Sequence, residues 1–371
     1  MMCIHKRRDV EGRAEHVSDA RRGVRALSVV PGKPDTAGVH DQPDPSDDEG
    51  SVLVQGLLVG VCGTDIEIIN EGYGWSPPGQ DRLVLGHESL GQVLDAPADS
   101  GFAAGDLIAG IVRRPDPLPC EPCSMGQWDF CRNGNYTERG IKERNGYAAT
   151  HWRVEPEFAI KLDARLGDVG VLMEPTTVVS KAWEQSELIA SRVPFHRKTA
   201  LITGAGPIGL LAALLGVQRG YEVHVLDRVD SGPKPALVRG LGATFHAGEV
   251  SDIGVRPDIV IECTGYGPLV FELAGVAAND AVICLAGISG ASREVAARLD
   301  RINKQMVLDN IVLFGSVNAA KRHYEQAAAA LAKADFDWLG KLVTRKVPLS
   351  SFEDALVRRD DDVKVAIDLR K

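Results

Sequence analysis

Three short stretches carry side chains that bind metals: Val61-Cys62-Gly63-Thr64-Asp65, Leu85-Gly86-His87-Glu88 and Met173-Glu174-Pro175. A thiolate, an imidazole and a carboxylate from Cys62, His87 and Glu174 make a three-ligand zinc set with one coordination position left open. Singly, each fragment has a plainer reading. A cysteine after an apolar strand is usually a small core residue, a lone histidine is usually a hydrogen-bonded one, and Glu174 could simply precede a helix whose first turn holds Pro175. A second cluster, Cys120, Cys123 and Cys131, has a spacing that reads as metal rather than disulfide.

A different chemistry sits in Leu201-Ile202-Thr203-Gly204-Ala205-Gly206-Pro207-Ile208-Gly209, a G-x-G-x-x-G that closes a strand and opens a helix. Gly204 allows the tight turn, Gly206 lets the backbone approach a pyrophosphate, and Gly209 allows close helix–strand packing. The helix N-terminus, at Pro207 and Ile208, then faces the phosphates. The next strand ends in Asp227, about 20 residues on, where an acid accepts hydrogen bonds from an adenosine ribose. A carboxylate there repels a ribose 2′-phosphate and favours NAD. Arg228 beside it could pair with that phosphate or be a solvated strand-end cation, so NADP stays possible.

These groups need two kinds of scaffold. Short apolar runs separated by Gly, Pro and Asp turns occupy Val24–Val30, Val52–Val61, Arg82–Ala96, Asp106–Arg113 and Gly146–Leu162, the pattern of a mostly antiparallel β domain. The acidic, Pro-bearing stretch Pro31–Gly50 reads as a loop, and Gly167–Ala190 has a helical period. From Lys198 the rhythm changes. Strand-like runs at Thr199–Thr203, Glu222–Asp227, Asp258–Glu262, Ala281–Ala286 and Ile311–Gly315 alternate with helical stretches such as Ile208–Gly220 and Lys234–Leu241. That alternation predicts a doubly wound parallel sheet, so the fold class is α/β. A helical run, Ala319–Ala334, a polar tail and a last strand, Val363–Leu369, close the chain.

Composition bounds the possibilities further. At 371 residues, 44% hydrophobic and 25% charged, the chain is neither disordered nor fibrous, and its length suits two to three domains. A net charge of −9 offers no electrostatic footprint for nucleic acid or an anionic membrane. The longest apolar run, Ile208–Val217, is too short to span a bilayer. Lys6, Arg7 and Arg8 are followed by Asp9, Glu11 and Glu15 where a signal peptide needs an apolar core, so the expected compartment is the cytoplasm. Residues 1–23 lack apolar periodicity and read as a disordered extension.

Taken together, Cys62-Gly-Thr-Asp65, Gly86-His-Glu88 and Gly204-Ala-Gly-Pro-Ile-Gly209 resemble, in order and approximate spacing, the zinc-dependent medium-chain dehydrogenase/reductase family over about residues 24–371. Met173–Trp183, Tyr136-Thr-Glu138-Arg-Gly-Ile141 and Leu313-Phe-Gly-Ser-Val-Asn318 are more similar to its archaeal-type glucose dehydrogenases. The resemblance implies a GroES-like, mostly β catalytic domain (24–182), a Rossmann dinucleotide-binding domain (183–320) and a C-terminal return to the catalytic domain (321–371). It implies Cys62, His87 and Glu174 as catalytic zinc ligands, with Glu88 a ligand in some states or a support, and Thr64 as the hydroxyl that passes on the substrate proton. Glu138, Asn318, Thr64 and Glu174 match sugar-contacting positions, while Leu285-Ala286-Gly287 and Val317-Asn318 match nicotinamide-lining ones.

The second cysteine cluster departs from the family's four-cysteine structural zinc lobe, since the first of the four positions falls at Pro117. Asp116 or Asp129 could supply the fourth ligand, or the lobe could be degenerate. The implied activity is oxidation of an aldose, best D-glucose, at C1 to its lactone with hydride transfer to NAD, in a homo-oligomer, dimer or tetramer. The alternatives are a zinc-dependent polyol or alcohol dehydrogenase of the same family and a non-catalytic dinucleotide-binding protein.

Overall fold

The structure, a computed structural model, describes residues 23–290, 294 and 297–371, so the expected extension lies almost wholly outside the described residues. In the first half, strand Val52–Gly60 alternates between the core and a half-covered face, as a period-two sequence must. It pairs antiparallel with Glu88–Asp95 on one side and with Lys364–Asp368 on the other. The sheet runs in spatial order Ala159–Lys161, Leu107–Gly110, Glu88–Asp95, Val52–Gly60, Lys364–Asp368, Val343–Pro348, and His151–Val154 also pairs with the central strand. Its register matters chemically. Gly60 lies opposite both Glu88 and Ala366, so the chain leaves the strand toward Cys62 just where the neighbouring strand enters from His87.

Gly60 has to be glycine. A Cβ there would lie 2.0 Å from a Glu88 carboxylate oxygen and 3.0 Å from Lys364 Cε. The missing side chain is the space that the buried Glu88–Lys364 pair fills.

The second half is a six-stranded, wholly parallel sheet in the order Thr244–Ala247, Glu222–Asp227, Thr199–Thr203, Ile259–Glu262, Val282–Leu285, Val312–Gly315. Numbered along the chain this is 3-2-1-4-5-6, with the switch point between Thr199–Thr203 and Ile259–Glu262. Helix Pro207–Gln218 follows the first strand and is apolar on all sides because it is buried beneath its neighbours.

The long helix Met173–Ala190 joins the halves. The expected division after residue 182 falls inside it, where Ala182 and Trp183 are both fully buried. One hydrophobic cluster runs from Leu58 and Leu90 through Trp183 to Ile202 and Ile261. The chain then returns through helix Lys321–Lys333 to the first sheet.

Two readings of local structure change. Pro31–Gly50 contains a ten-residue strand, Lys33–Gln42, paired with Val24–Val30 from Val24↔Gln42 to Val30↔Lys33. Its side chains are polar and half exposed, so no apolar alternation marks it; backbone pairing and the Arg82 guanidinium, which donates to the Ser28 and Thr36 carbonyls, hold it. The polar tail likewise contains helix Phe336–Leu342, capped by the Asp335 carboxylate, and strand Val343–Pro348.

Candidate active site

Cys62 is the N-cap of helix Gly63–Asn70, and Asp65, at its third position, reaches back to accept the Cys62 N–H at 2.9 Å. The same carboxylate stands 3.6 Å from His87 Nδ1, which leaves Nε2 as the ring nitrogen for a metal. Ligating atoms of Cys62, His87 and Glu88 all lie within 4.8 Å of one another. Asp65 Oδ1 and His87 Nδ1 face each other, and Glu88 Oε2 meets the Lys364 ammonium. A half-buried thiol, a buried imidazole and a buried carboxylate gathered this closely fit zinc chemically.

Burial works against a charged His87, but the Asp65 carboxylate and Cys62 outweigh it and push the imidazole well above its ordinary range. Glu88 is buried against the equally buried Lys364, whose ammonium also donates to the Val61 carbonyl at 3.1 Å. Glu174 stands on the first turn of Met173–Ala190. Burial, reinforced by Glu88 and opposed by His87, pushes its carboxyl up to about 7. Thus Glu88 stands in the cluster of ligating atoms with Cys62 and His87, and Glu174 lies beside it within electrostatic reach. Thr64 Oγ1 is 3.9 Å from Cys62 Sγ.

Two further residues come together although 180 positions separate them. Asn318 Nδ2 donates to Glu138 Oε1 at 2.6 Å. The same oxygen takes the buried Arg113 guanidinium at 3.0 Å, and that guanidinium stacks over the Tyr136 ring at 3.7 Å. Glu138 is therefore a buried, charge-paired acceptor, with Oε2 left without a partner among the described residues.

The glycine turn opens at the switch point of the parallel sheet. Gly204 has φ +87°, and a Cβ on Gly209 would lie 1.8 Å from the Gly204 carbonyl oxygen. A Cβ on Gly206 would meet nothing within 4 Å, so open space faces the helix N-terminus at Pro207 and Ile208. That space fits a pyrophosphate.

Asp227 ends the next strand; its carboxylate accepts the Ala205 N–H at 2.7 Å and the Val229 N–H at 2.9 Å. Lys234 pairs with it at 3.3 Å. Burial would raise the Asp227 carboxyl, but these N–H groups and Lys234 hold it low. Arg228 is exposed, 5.5 Å from the Tyr266 ring. Lys234 and Arg228 together offset the Asp227 charge, so repulsion of a 2′-phosphate is weaker than the aspartate alone suggests. The Ala286 and Gly287 N–H groups donate to the Glu262 carbonyl at 2.8 and 2.9 Å, and the Ser316 N–H to the Leu285 carbonyl, drawing Leu285–Gly287 toward Val317 and Asn318.

Cys120, Cys123 and Cys131 form the second group of clustered ligating atoms. The Arg132 N–H donates to Cys120 Sγ at 3.3 Å and, with other backbone N–H groups, brings that thiol down to about 7, while burial pushes Cys123 up to about 12. Neither carboxylate considered as a fourth ligand is free for that role. Asp116 accepts from the Leu118 N–H and the Asn133 amide at 2.8 Å each, and Asp129 is buried against Lys181 at 2.9 Å.

Sequence reasoning assigned no role to Asp65, Lys364, Arg113, Lys234 or Lys181. Asp65 was legible as a capping acid. Arg113 and Lys181 are charges inside apolar runs, Ile111-Val112-Arg113 and Val179-Ser180-Lys181-Ala182-Trp183, which burial converts into paired groups. Lys364 needed the strand register to find its partner.

Two family models match the chain: the alcohol dehydrogenase GroES-like domain over residues 48–164 and the glucose dehydrogenase C-terminus over 167–369. The glucose 1-dehydrogenase of Methanocella arvoryzae is 34% identical, across 93% of this chain and 99% of that protein. That of Thermoproteus tenax is 37% identical, across 94% of this chain and 100% of the relative. Among solved structures, the Haloferax mediterranei glucose dehydrogenase in complex with NADP, Zn and gluconolactone superposes with a TM-score of 0.85 at 32% identity, covering 93% of this chain and 99% of that one. With Cys62, His87 and Glu88 clustered at one strand end and a glycine turn at the switch point of a parallel sheet, the chain belongs to the zinc-dependent medium-chain dehydrogenase/reductases, in their glucose 1-dehydrogenase group.

Proposed function

We propose that this protein is a zinc-dependent glucose 1-dehydrogenase that oxidises the aldose at C1 to its lactone and reduces NAD or NADP. The observation that carries the reading is that one chain brings together a Cys62–His87–Glu88 metal cluster, a Glu138–Asn318 polar pair and a dinucleotide turn. Relatives named as glucose 1-dehydrogenases and the Haloferax structure with NADP, Zn and gluconolactone support the substrate and both cofactors. The reaction balances as glucose + NAD(P)⁺ giving gluconolactone + NAD(P)H + H⁺. The C1–H bond breaks with its electron pair leaving as hydride, C1–O becomes a carbonyl, and the hydroxyl proton departs.

When bound, zinc supplies the Lewis acidity that lowers the pKa of the substrate hydroxyl, and nicotinamide supplies the hydride acceptor. Cys62, His87 and Glu88 or Glu174 hold the metal, and Asp65 fixes the His87 ring through Nδ1. Thr64, beside Cys62 at the helix start, receives and passes on the hydroxyl proton. Glu138 Oε2, Asn318 and Glu174 hold the sugar hydroxyls. Such a site rejects analogues that would leave its buried polar groups unpaired. Gly204, Gly206 and Gly209 admit the pyrophosphate, Asp227 and Arg228 the adenosine ribose, and Leu285–Gly287 with Val317 the nicotinamide. Cys120, Cys123 and Cys131 would hold a second zinc through their thiolates.

Among the described residues no helix is long and apolar enough to cross a membrane, and the six described cysteines are all free thiols, as a reducing cytoplasm keeps them. Among the described residues the outer strand Val312–Gly315 pairs on one side only, and Val307, Leu308 and Leu313 near it are exposed. That open edge supports a homo-oligomer, which sedimentation distinguishes from a monomer.

Cys62→Ser tests the assignment. Glucose turnover should fall by orders of magnitude together with metal content, while reduced-cofactor binding, followed by fluorescence, stays near the parent value. Glucose turnover at the parent level in the variant would overturn it.

A further inference from the structure

Asn318 adopts φ +60°, the left-handed region that a non-glycine residue enters at a cost. Asparagine tolerates it better than most, yet the conformation lasts only where surroundings impose it. Here the carbonyls on both sides of Asn318 are held. The Lys181 ammonium donates to the Val317 carbonyl at 2.9 Å, and the Trp128 indole N–H donates to the Ala319 carbonyl at 3.2 Å. Between those two restraints the Asn318 amide turns its N–H toward Glu138 at 2.6 Å.

Both restraints lead to the same loop. Lys181 is 2.9 Å from Asp129, with neither side chain more than 2% exposed, and its ammonium sits 4.1 Å from the Phe130 ring. Trp128, Asp129 and Phe130 directly precede Cys131 of the three-cysteine lobe. Arg113, which pairs with Glu138, also donates to the Trp128 and Asp129 carbonyls at 3.4 and 3.5 Å. Lys181 stands two turns beyond Glu174 on one face of Met173–Ala190. A buried lysine–aspartate pair gives little net stability, so its presence asks for another reason.

We propose that Trp128 and Lys181 are positioning residues for the sugar subsite: with Asp129 they carry the geometry of the cysteine lobe to Asn318 and so aim its amide, and through it Glu138, at the substrate. This rests on the glucose dehydrogenase reading. It gives the lobe a part in substrate recognition as well as in folding.

The test compares glucose with a small primary alcohol, which does not reach Glu138 or Asn318. Trp128→Phe keeps an aromatic ring against Phe158 and removes the indole donor together with part of the ring volume, a loss that bears on both substrates alike. The double variant Lys181→Met/Asp129→Asn removes both buried charges together, so neither is stranded. For glucose, kcat/KM should fall roughly two- to tenfold in the first and roughly 10- to 150-fold in the second, mainly through KM, the equivalents of losing a neutral and a charge-assisted hydrogen bond. In Trp128→Phe, which acts on the Ala319 carbonyl, alcohol oxidation and NADPH affinity should stay within about threefold of the parent. In the double variant, which also frees the Val317 carbonyl beside the nicotinamide, the glucose-to-alcohol ratio is the quantity read. A glucose-to-alcohol ratio unchanged in both variants overturns the proposal, as do equal losses on both substrates, which would mark a purely structural role. Trp128→Phe decides alone if the double variant fails to fold. A parent enzyme that oxidises alcohols but no aldose overturns the proposed function itself, and this inference with it.

Discussion

Replacing Glu138 by glutamine asks most directly whether the site recognises a sugar. Alanine is the wrong choice. It would leave both the buried Arg113 guanidinium and the Asn318 amide without any acceptor, whereas glutamine, though it too removes the counter-charge, keeps an oxygen for both; stranding one partner of a buried pair outright costs about 3–5 kcal/mol of stability. Any fall in activity would then be confounded with unfolding. Glutamine keeps an oxygen where Oε1 accepts from Arg113 at 3.0 Å and Asn318 at 2.6 Å, provided its N–H group takes the Oε2 side. If that side meets the sugar as proposed, an acceptor becomes a donor there and the negative charge disappears. Losing a hydrogen bond to a charged group costs about 1.5–3 kcal/mol, or roughly 10- to 150-fold in kcat/KM. The assay follows reduced-nicotinamide absorbance with glucose and with a small primary alcohol, and takes the ratio of efficiencies, which cancels any loss of folded enzyme. Glucose efficiency should fall within that range and alcohol efficiency should hold. Equal losses on both substrates would refute the assignment and make Glu138 a strut for Arg113 and the lobe.

Two further outcomes are expected. Asp227→Asn should raise the NADP-to-NAD efficiency ratio by about tenfold or more, because it removes the like charge beside a 2′-phosphate and leaves Lys234 and Arg228 to attract it; an unchanged ratio in steady-state kinetics would show that the aspartate does not select the cofactor. Glu155→Gln should make the protein less stable at neutral pH by about 3 kcal/mol, since the neighbouring Arg114 and Arg144, against the opposing effect of burial, bring that carboxyl from its ordinary 4.5 to about 2. A carboxylate whose pKa is lower in the folded state stabilises above its unfolded value and loses the effect on acidification. The parent-minus-variant difference in urea melts should therefore shrink as pH falls from about 4.5 to about 2, and a difference independent of pH would contradict the pairing.

The fold was legible where burial imposes a period. The parallel strands are buried on both faces and read as apolar runs, so Thr199–Thr203 and Ile259–Glu262 stood out of the sequence. Lys33–Gln42 did not, because a half-exposed hairpin strand is held by backbone pairing that leaves no mark on residue type. The same distinction runs through the site. Cys62, His87 and the glycine turn each have a plainer reading alone and were legible as a site through their combination, order and spacing. Lys364, Arg113 and Lys181 are ordinary cations in the sequence and become special only through the partner that folding presents to them.

Register explains why those partners could not be found one stretch at a time. Gly60 lies opposite Glu88 on one side and Ala366 on the other, and the missing Gly60 side chain is the volume into which Glu88 and Lys364 fit together. A slip of one residue in either pairing would turn Glu88 or Lys364 to the opposite face of the sheet and strand a buried charge. The metal cluster is thus specified twice, by ligands clustered at the strand ends and by a register that only the C-terminal strand completes. Truncating the chain before Lys364 would therefore remove the counter-ion of Glu88 as well as an inner strand of the sheet, although every sequence motif of the metal site would still be present.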